Sequence, residues 1–255
     1  MTDDKITIQI GTRQAPGEVY AEIMLNGPIM LHGGTPIIQQ FIMPDERGIS
    51  RVYQEGEEFE AKKIVALCRC GASKNKPFCD GSHKTLNPAE VDLTETATFE
   101  PSLDFAELIQ GPDHSLSDDE KFCAYARFCD AGQRVWNEVR LEGEAAKELT
   151  LEMARRCPGG RLVVWDNDTQ EPIETYEDPS VGLVEDVLNR CSGPIMLRGG
   201  IPVKAANGEV YEIRNRQALC RCGQSRNKPF CDGTHASMKF QDDLPNEPKQ
   251  GGKIS

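Results

Sequence analysis

The chain has little of what a large hydrophobic core or a membrane anchor requires. Of its 255 residues, 38% are hydrophobic and 6% are aromatic, with 2 Trp. Its apolar runs fall far short of the roughly 18 residues that a membrane-spanning helix needs, so no membrane partner is expected. Met1-Thr2-Asp3-Asp4-Lys5 shows neither a basic region nor an apolar stretch, and no signal peptide is read there. Positive charge is also in deficit, at 29 Lys+Arg against 41 Asp+Glu, for a net charge of −12. Nothing basic is clustered enough to track phosphates, so no nucleic-acid partner is expected. An acidic surface suits a basic face on a redox partner, or serves solubility alone. A phosphate loop, a dinucleotide fingerprint and a Ser/His/Asp constellation are all missing, so the chain is read as a non-enzyme.

What the chain does have is 10 Cys, 23 Gly and 16 Pro. Without a signal peptide, ten cysteines read as metal ligands rather than disulfides, which places the protein in a reducing cytoplasm. The cores should be small, with metal centres supplying part of the folding free energy.

Eight of the metal-ligand candidates lie in a signature that occurs twice. The first copy runs Cys68-Arg69-Cys70 to Cys79-Asp80-Gly81-Ser82-His83, and the second runs Cys220-Arg221-Cys222 to Cys231-Asp232-Gly233-Thr234-His235. Each has the form C-x-C-x8-C-x3-H. Cysteines two apart project to one side of an extended segment, so Cys68 and Cys70 can grip one iron, as can Cys220 and Cys222. The i, i+4 spacing of Cys79/His83 and Cys231/His235 puts each pair on one face if a helix starts there, with Asp80 and Asp232 as caps. Zinc is the rival, because Cys3His is an accepted structural zinc set. C-x-C is short for zinc, whereas a two-iron cluster divides four ligands two and two and accepts imidazole. A histidine ligand also exposes a centre to protons near neutral pH, so acid lability is expected.

With the shared string Pro-Phe-Cys-Asp-Gly, both copies resemble the CDGSH iron–sulfur domain family. The resemblance implies a 2Fe–2S cluster with three Cys and one His in each of two small β-rich domains. Family members pair two chains, which here implies an intrachain pseudo-dimer and a monomeric protein.

The repeat extends outward. Gly27 to Pro36 recurs as Gly193 to Pro202 at an offset of 166, Val52-Tyr53 recurs as Val210-Tyr211 at 158, and the cysteines recur at 152. The first copy therefore carries fourteen extra residues, expected in two loops. Asn207-Gly208 marks a hairpin in the second copy. Lys76 and Lys228 are placed to offset cluster charge, and Ser82 and Thr234 to donate to cluster sulfides.

Between the copies, Ser117-Asp118-Asp119-Glu120 reads as a capping box opening a helix. A second helix is predicted from about Glu144 to Arg156 and a strand over Arg161–Asp166. Cys123 and Cys129 carry the outer spacing of C-x2-C-x2-C with Ala126 in the middle, and Cys157-Pro158 matches a remote Cys-Pro. The segment resembles the divergent single-cluster ferredoxins. That resemblance implies a 3Fe–4S cluster on Cys123, Cys129 and Cys157, or a 4Fe–4S cluster with a fourth ligand such as Asp130, His114 or Cys191. The alternative is three packed thiols. Cys191 reads otherwise as a packing thiol, His32 as surface chemistry and His114 as part of a solvated turn.

The resulting expectation is an α+β chain of two β-rich modules packed as a pseudo-dimer around a helical ferredoxin-like insert. Its expected domains are 1–95, 112–166 and 185–240, with a disordered tail over 241–255. Its expected work is electron transfer with a redox partner protein. Cluster transfer to an apo iron–sulfur acceptor, iron or redox sensing, and a structural zinc role stand as alternatives.

Overall fold

Strands of the two copies interleave in the computed structural model, which describes residues 6–255; Met1–Lys5 and the reading made on them lie outside. The first copy contributes β1 (Tyr20–Ile23), β2 (Ile29–His32), β3 (Ile37–Pro44), β4 (Ser50–Phe59) and β5 (Ile64–Leu67). The intervening segment forms β6 (Glu107–Gln110), β7 (His114–Asp118), α1 (Val135–Glu138), α2 (Glu144–Arg155) and β8 (Leu162–Asp166). The second copy contributes β9 (Ser180–Asp186), β10 (Cys191–Arg198), β11 (Val203–Lys204), β12 (Arg216–Leu219) and α3 (Thr234–Ser237).

Each copy opens with an antiparallel pair, β1–β2 or β9–β10, and the strand leading into the signature lies beside the second member. Ile29 pairs with Leu67 in one copy, and Ile195 with Leu219 in the other. A strand then crosses to the other copy. β11 runs parallel to β1 with Ala21 opposite Val203, and β3 runs parallel to β9 with Ile37 opposite Val181. The resulting sheets, in orders β11-β1-β2-β5 and β12-β10-β9-β3-β4, both contain strands of both copies. Their alternating apolar residues meet in one core that includes Ile23, Leu31, Leu67, Leu183, Leu197 and Leu219. A module of about fifty residues has too little core to stand alone, and this shared burial offsets that shortage.

The fourteen extra residues do not form two loops. Most lengthen β3 and β4 into a hairpin that extends beyond its short counterpart around Asn207-Gly208. The tail is not free either. Leu244 packs on the shared core, Gln39 donates to the Pro245 carbonyl, and Tyr53 and Ser255 exchange backbone hydrogen bonds.

The middle segment is a separate three-stranded sheet, β6-β7-β8, covered by α1 and α2. Ala146, Thr150, Met153 and Ala154 recur at helical spacing and are buried, which explains α2. The helix expected to open at Ser117 is absent. Ser117 and Asp118 belong to the central strand β7, hydrogen-bonded on both sides, and only Asp119 caps a short turn over Glu120–Phe122. His114, expected in solvent, is fully buried on that strand. Among the described residues, no helix is long and apolar enough to cross a membrane.

Candidate metal centres

Each signature folds back on the strand that precedes it. Cys68 N–H donates to the Pro77 carbonyl and Cys79 N–H to the Ala66 carbonyl, at 2.9 and 2.8 Å; Cys220/Pro229 and Cys231/Ala218 repeat the pattern at 2.8 Å each. The eight-residue gap is pinned from within, because Ser73 Oγ donates to Phe78 O at 2.6 Å, as Ser225 Oγ does to Phe230 O. The third cysteine is thereby returned to the first pair.

The helix expected over Cys79–His83 does not form. Gly81 and Gly233 adopt φ of +87° and +84°, and helical turns start only at Ser82 and Thr234. Asp80 instead accepts from Ser82 N–H and, across the loop, from Lys74 N–H; Asp232 does the same with Thr234 and Arg226. These donors hold the Asp80 carboxyl below its usual range. Sulfur receives its hydrogen bond from backbone, with Gly81 N–H reaching Cys79 Sγ and Gly233 N–H reaching Cys231 Sγ at 3.4 Å. The Ser82 and Thr234 side chains, expected to donate to cluster sulfides, here support Asp80 and Asp232.

The eight side chains sort into four pairs. Cys68 and Cys70 sulfurs lie 3.7 Å apart, and Cys79 Sγ lies 3.4 Å from His83 Nδ1. In the second copy the corresponding separations are 3.9 and 3.3 Å. Two sulfurs on one tetrahedral ion with bonds of about 2.3 Å stand about 3.8 Å apart, so each pair suits one metal ion. Among the described residues, no three His, Cys, Asp or Glu side chains converge on a single point. Each site therefore offers two separate bidentate grips.

Each C-x-C pair shares a proton unequally. The hydrogen bond between Cys68 and Cys70 lowers the Cys68 thiol and raises that of Cys70, with Lys76 among the groups that lower Cys68. Cys220 is lowered and Cys222 raised in the same way, with Lys228 beside Cys220. Lys76 Nζ is anchored on the Gly71 carbonyl at 2.9 Å. The two sites differ in cover. Cys79 and His83 are partly exposed, whereas Cys231 and His235 are 3% and 4% exposed. Burial pushes His235 down to about 4.

The two ligand loops touch back to back. A Cβ on Gly71 would stand 2.6 Å from the Cys222 carbonyl oxygen, and one on Gly223 would stand 2.7 Å from that of Cys70.

The middle segment brings its three cysteines within electrostatic reach of one another. Burial pushes Cys129 up to about 12, and Cys157, Asp130 and Cys123 add to that shift. Cys157 is raised by burial and then by Cys123. Arg161 and Arg216 supply positive charge nearby: burial opposes both cations, but Asp118 and Cys123 outweigh it for Arg161, and Glu174 and Cys157 for Arg216. Neither arginine was singled out from sequence. Ala126, at the middle of the spacing, is buried against Phe128 and Tyr53. Ala124 packs with Ala218 and Cys231, so this segment covers the second signature. Cys191 is buried at the start of β10, and burial raises its thiol to about 11. His114 makes no hydrogen bond through either ring nitrogen. His32 stacks on Tyr20 at 4.2 Å.

Residues 26–84 and 192–236 each match the family model described as iron-binding zinc finger CDGSH type. No curated protein and no solved structure matches the chain. That family implies iron–sulfur binding, and both matches enclose a complete C-x-C-x8-C-x3-H signature: the chain carries two segments similar to the CDGSH iron-binding family.

Proposed function

We propose that the chain is a one-electron carrier holding two 2Fe–2S clusters, one on Cys68, Cys70, Cys79 and His83, the other on Cys220, Cys222, Cys231 and His235. The observation that carries this reading is the sorting of each ligand set into two pairs, each spaced for one metal. A single zinc ion needs four converging ligands, whereas a two-iron cluster needs two and two. When bound, such clusters supply reversible one-electron chemistry. The protein's part is to set one lowered thiol of each C-x-C pair beside Lys76 or Lys228, to donate backbone N–H groups to sulfur, and to limit water. Reciprocal crossing of β3 and β11 supports the intrachain pseudo-dimer. Ten free thiols fit a reducing compartment such as the cytoplasm.

A third centre belongs to this reading. Cys123, Cys129 and Cys157 would hold a 3Fe–4S cluster, or a 4Fe–4S cluster completed by Asp130, which stands close enough to raise Cys129. The positive charge of Arg161 and Arg216 favours three thiolates there. Iron analysis of anaerobically prepared protein is expected to find seven or eight irons per chain. Substituting Cys123, Cys129 and Cys157 together by Ala should leave about four irons, those of two binuclear sites. Two zinc ions and no visible charge-transfer bands would overturn the whole reading.

Acid is expected to empty the first site before the second. A proton competes with metal for imidazole, and His83 is open to water while His235 is sealed. Lowering a histidine's pKa disfavours its charged form, so His235 keeps its metal-binding neutral ring as pH falls through about 6.5. Bleaching near pH 5.5 should be biphasic, with the fast phase removed by His83→Cys; a single phase would count against the assignment. The same exposure favours cluster transfer from the first site as a second reading. Mixing with an apo-ferredoxin tests it, since transfer should then depend on His83 and not on His235.

A further inference from the structure

Arg69 and Arg221 occupy the same place in the two signatures, inside C-x-C, and both are buried, at 3% and 2% exposure. Their partners differ. Arg69 donates only to backbone: Nε to Gly27 O at 2.7 Å, Nη1 to Leu93 O at 2.9 Å and Nη2 to Met24 O at 3.0 Å. Leu93 in turn packs on Cys68 and Cys70. The acid acting most strongly on Arg69 is Glu95, whose oxygens are taken by the Tyr211 hydroxyl and the Ala206 N–H. Arg221 also donates to a carbonyl, that of Val184 at 3.1 Å, but its Nη2 meets two buried carboxylates, Glu185 at 2.9 Å and Asp242. Asp242 lies two residues beyond Phe240, which packs on Cys220 and Cys222. Burial raises the Glu185 carboxyl while Arg221 opposes that rise, so two carboxylates face one guanidinium.

Solvent access differs in the same direction. The first site keeps Cys79 and His83 partly exposed, and the second is closed over by Ala124 and Phe122. An electron added to an anionic centre adds negative charge, which burial and neighbouring carboxylates disfavour, and which water and an uncompensated guanidinium favour.

We propose that the two sites are electrically unequal, the first accepting an added electron at least tenfold more favourably than the second, and that Asp242 and Glu185 are the residues that hold the second site down. This rests on the reading that each site carries a 2Fe–2S cluster. The tenfold preference corresponds to 59 mV for a one-electron couple.

The test is a dithionite titration of the iron-loaded full chain, followed by electron paramagnetic resonance at controlled potential. His83→Cys and His235→Cys assign each signal to its site. Two reversible waves are expected, the higher one from the first site. Asp242→Asn should raise the second wave selectively and narrow the gap; Glu185→Gln makes the same measurement if Asp242→Asn fails to load iron. Coincident waves, or a higher second wave, would overturn the inequality while leaving the carrier reading intact. Irreversible loss of both signals on reduction would remove the carrier reading and the inequality with it. A gap unmoved by both substitutions would overturn the role of the carboxylates. In iron-free protein, Cys79 should alkylate faster than Cys231; equal rates would remove the burial contribution and overturn the proposal's cause.

Discussion

Gly71→Ala is expected to cut iron loading at both CDGSH sites, not only at its own. Gly71 has φ of +78°, a region that costs an L-residue about 1–2 kcal/mol. Its new methyl would also stand 2.6 Å from the Cys222 carbonyl oxygen, a backbone atom that a rotamer change cannot move aside. Overpacking of that kind adds about 1–3 kcal/mol, for a total near 2–5 kcal/mol. The displaced carbonyl belongs to a ligand of the second site, so the disturbance crosses the interface. Gly223→Ala should do the converse through the Cys70 carbonyl, at 2.7 Å. Gly208→Ala is the control, having φ of +92° but nothing within 4 Å, and should show the conformational penalty alone with iron unchanged. Denaturant midpoints and iron per chain read the comparison. If Gly71→Ala emptied only the first site, the back-to-back contact would not couple the two.

That coupling shows what the linear pattern could and could not convey. The C-x-C-x8-C-x3-H spacing announced four ligand candidates per site, and each segment does fold back to return its third cysteine to the preceding strand, because the loop is closed by local bonds through Ser73 and Ser225. Helix α2 and strand β8 were equally legible, as both follow from periodicity over a dozen residues or fewer. The exchange of strands between the copies was not. Strand β11 is two residues long, and its pairing with β1 joins positions about 180 apart, for which no local signature exists.

Several misread segments share a cause: a local preference met a distant partner. Ser117-Asp118-Asp119-Glu120 has the composition of a helix start, but β6 and β8 flank Ser117 and Asp118 and extend them. The tail after Phe240 has the composition of a disordered segment, yet Asp242 answers the buried charge of Arg221 and Ser255 joins the edge of β4. His114 sits in a Gly-Pro-Asp-His string that suggests a solvated turn, while the strand it begins carries it into the core beneath α2. The buried arginines Arg69, Arg214, Arg216 and Arg221 were invisible as core residues for the same reason. A charge is admitted to an interior only with its partners, and those partners lie elsewhere in the chain.

Arg216→Met is expected to destabilise the protein by about 3–5 kcal/mol, the penalty for stranding one member of a buried ion pair. Arg216 forms a fork on Glu174, Nη1 to Oε2 at 2.7 Å and Nη2 to Oε1 at 2.9 Å, and Asn215 donates to the same carboxylate at 2.8 Å. The two side chains are 3% and 7% exposed, so neither charge can turn to water when the other is removed. Adding Glu174→Gln to Arg216→Met should recover much of the loss, because the orphaned charge goes with it. Burial raises the Glu174 carboxyl, but Arg216 outweighs it and holds the group below its usual range. The pair's contribution is therefore complete above the unfolded value of about 4.3 and fades as pH falls through the lowered folded value. In acid the wild type should approach the mutant in stability. Arg216 also lowers Cys157, which favours that thiol's anionic form. The proposed third centre should accordingly lose iron, with that of the two signature sites retained. Unfolding midpoints across pH, with iron counted on the same samples, separate these effects. A change within about 0.5 kcal/mol, the range of an ordinary surface substitution, would mean that the fork contributes nothing, and unchanged iron would detach Arg216 from the three thiols.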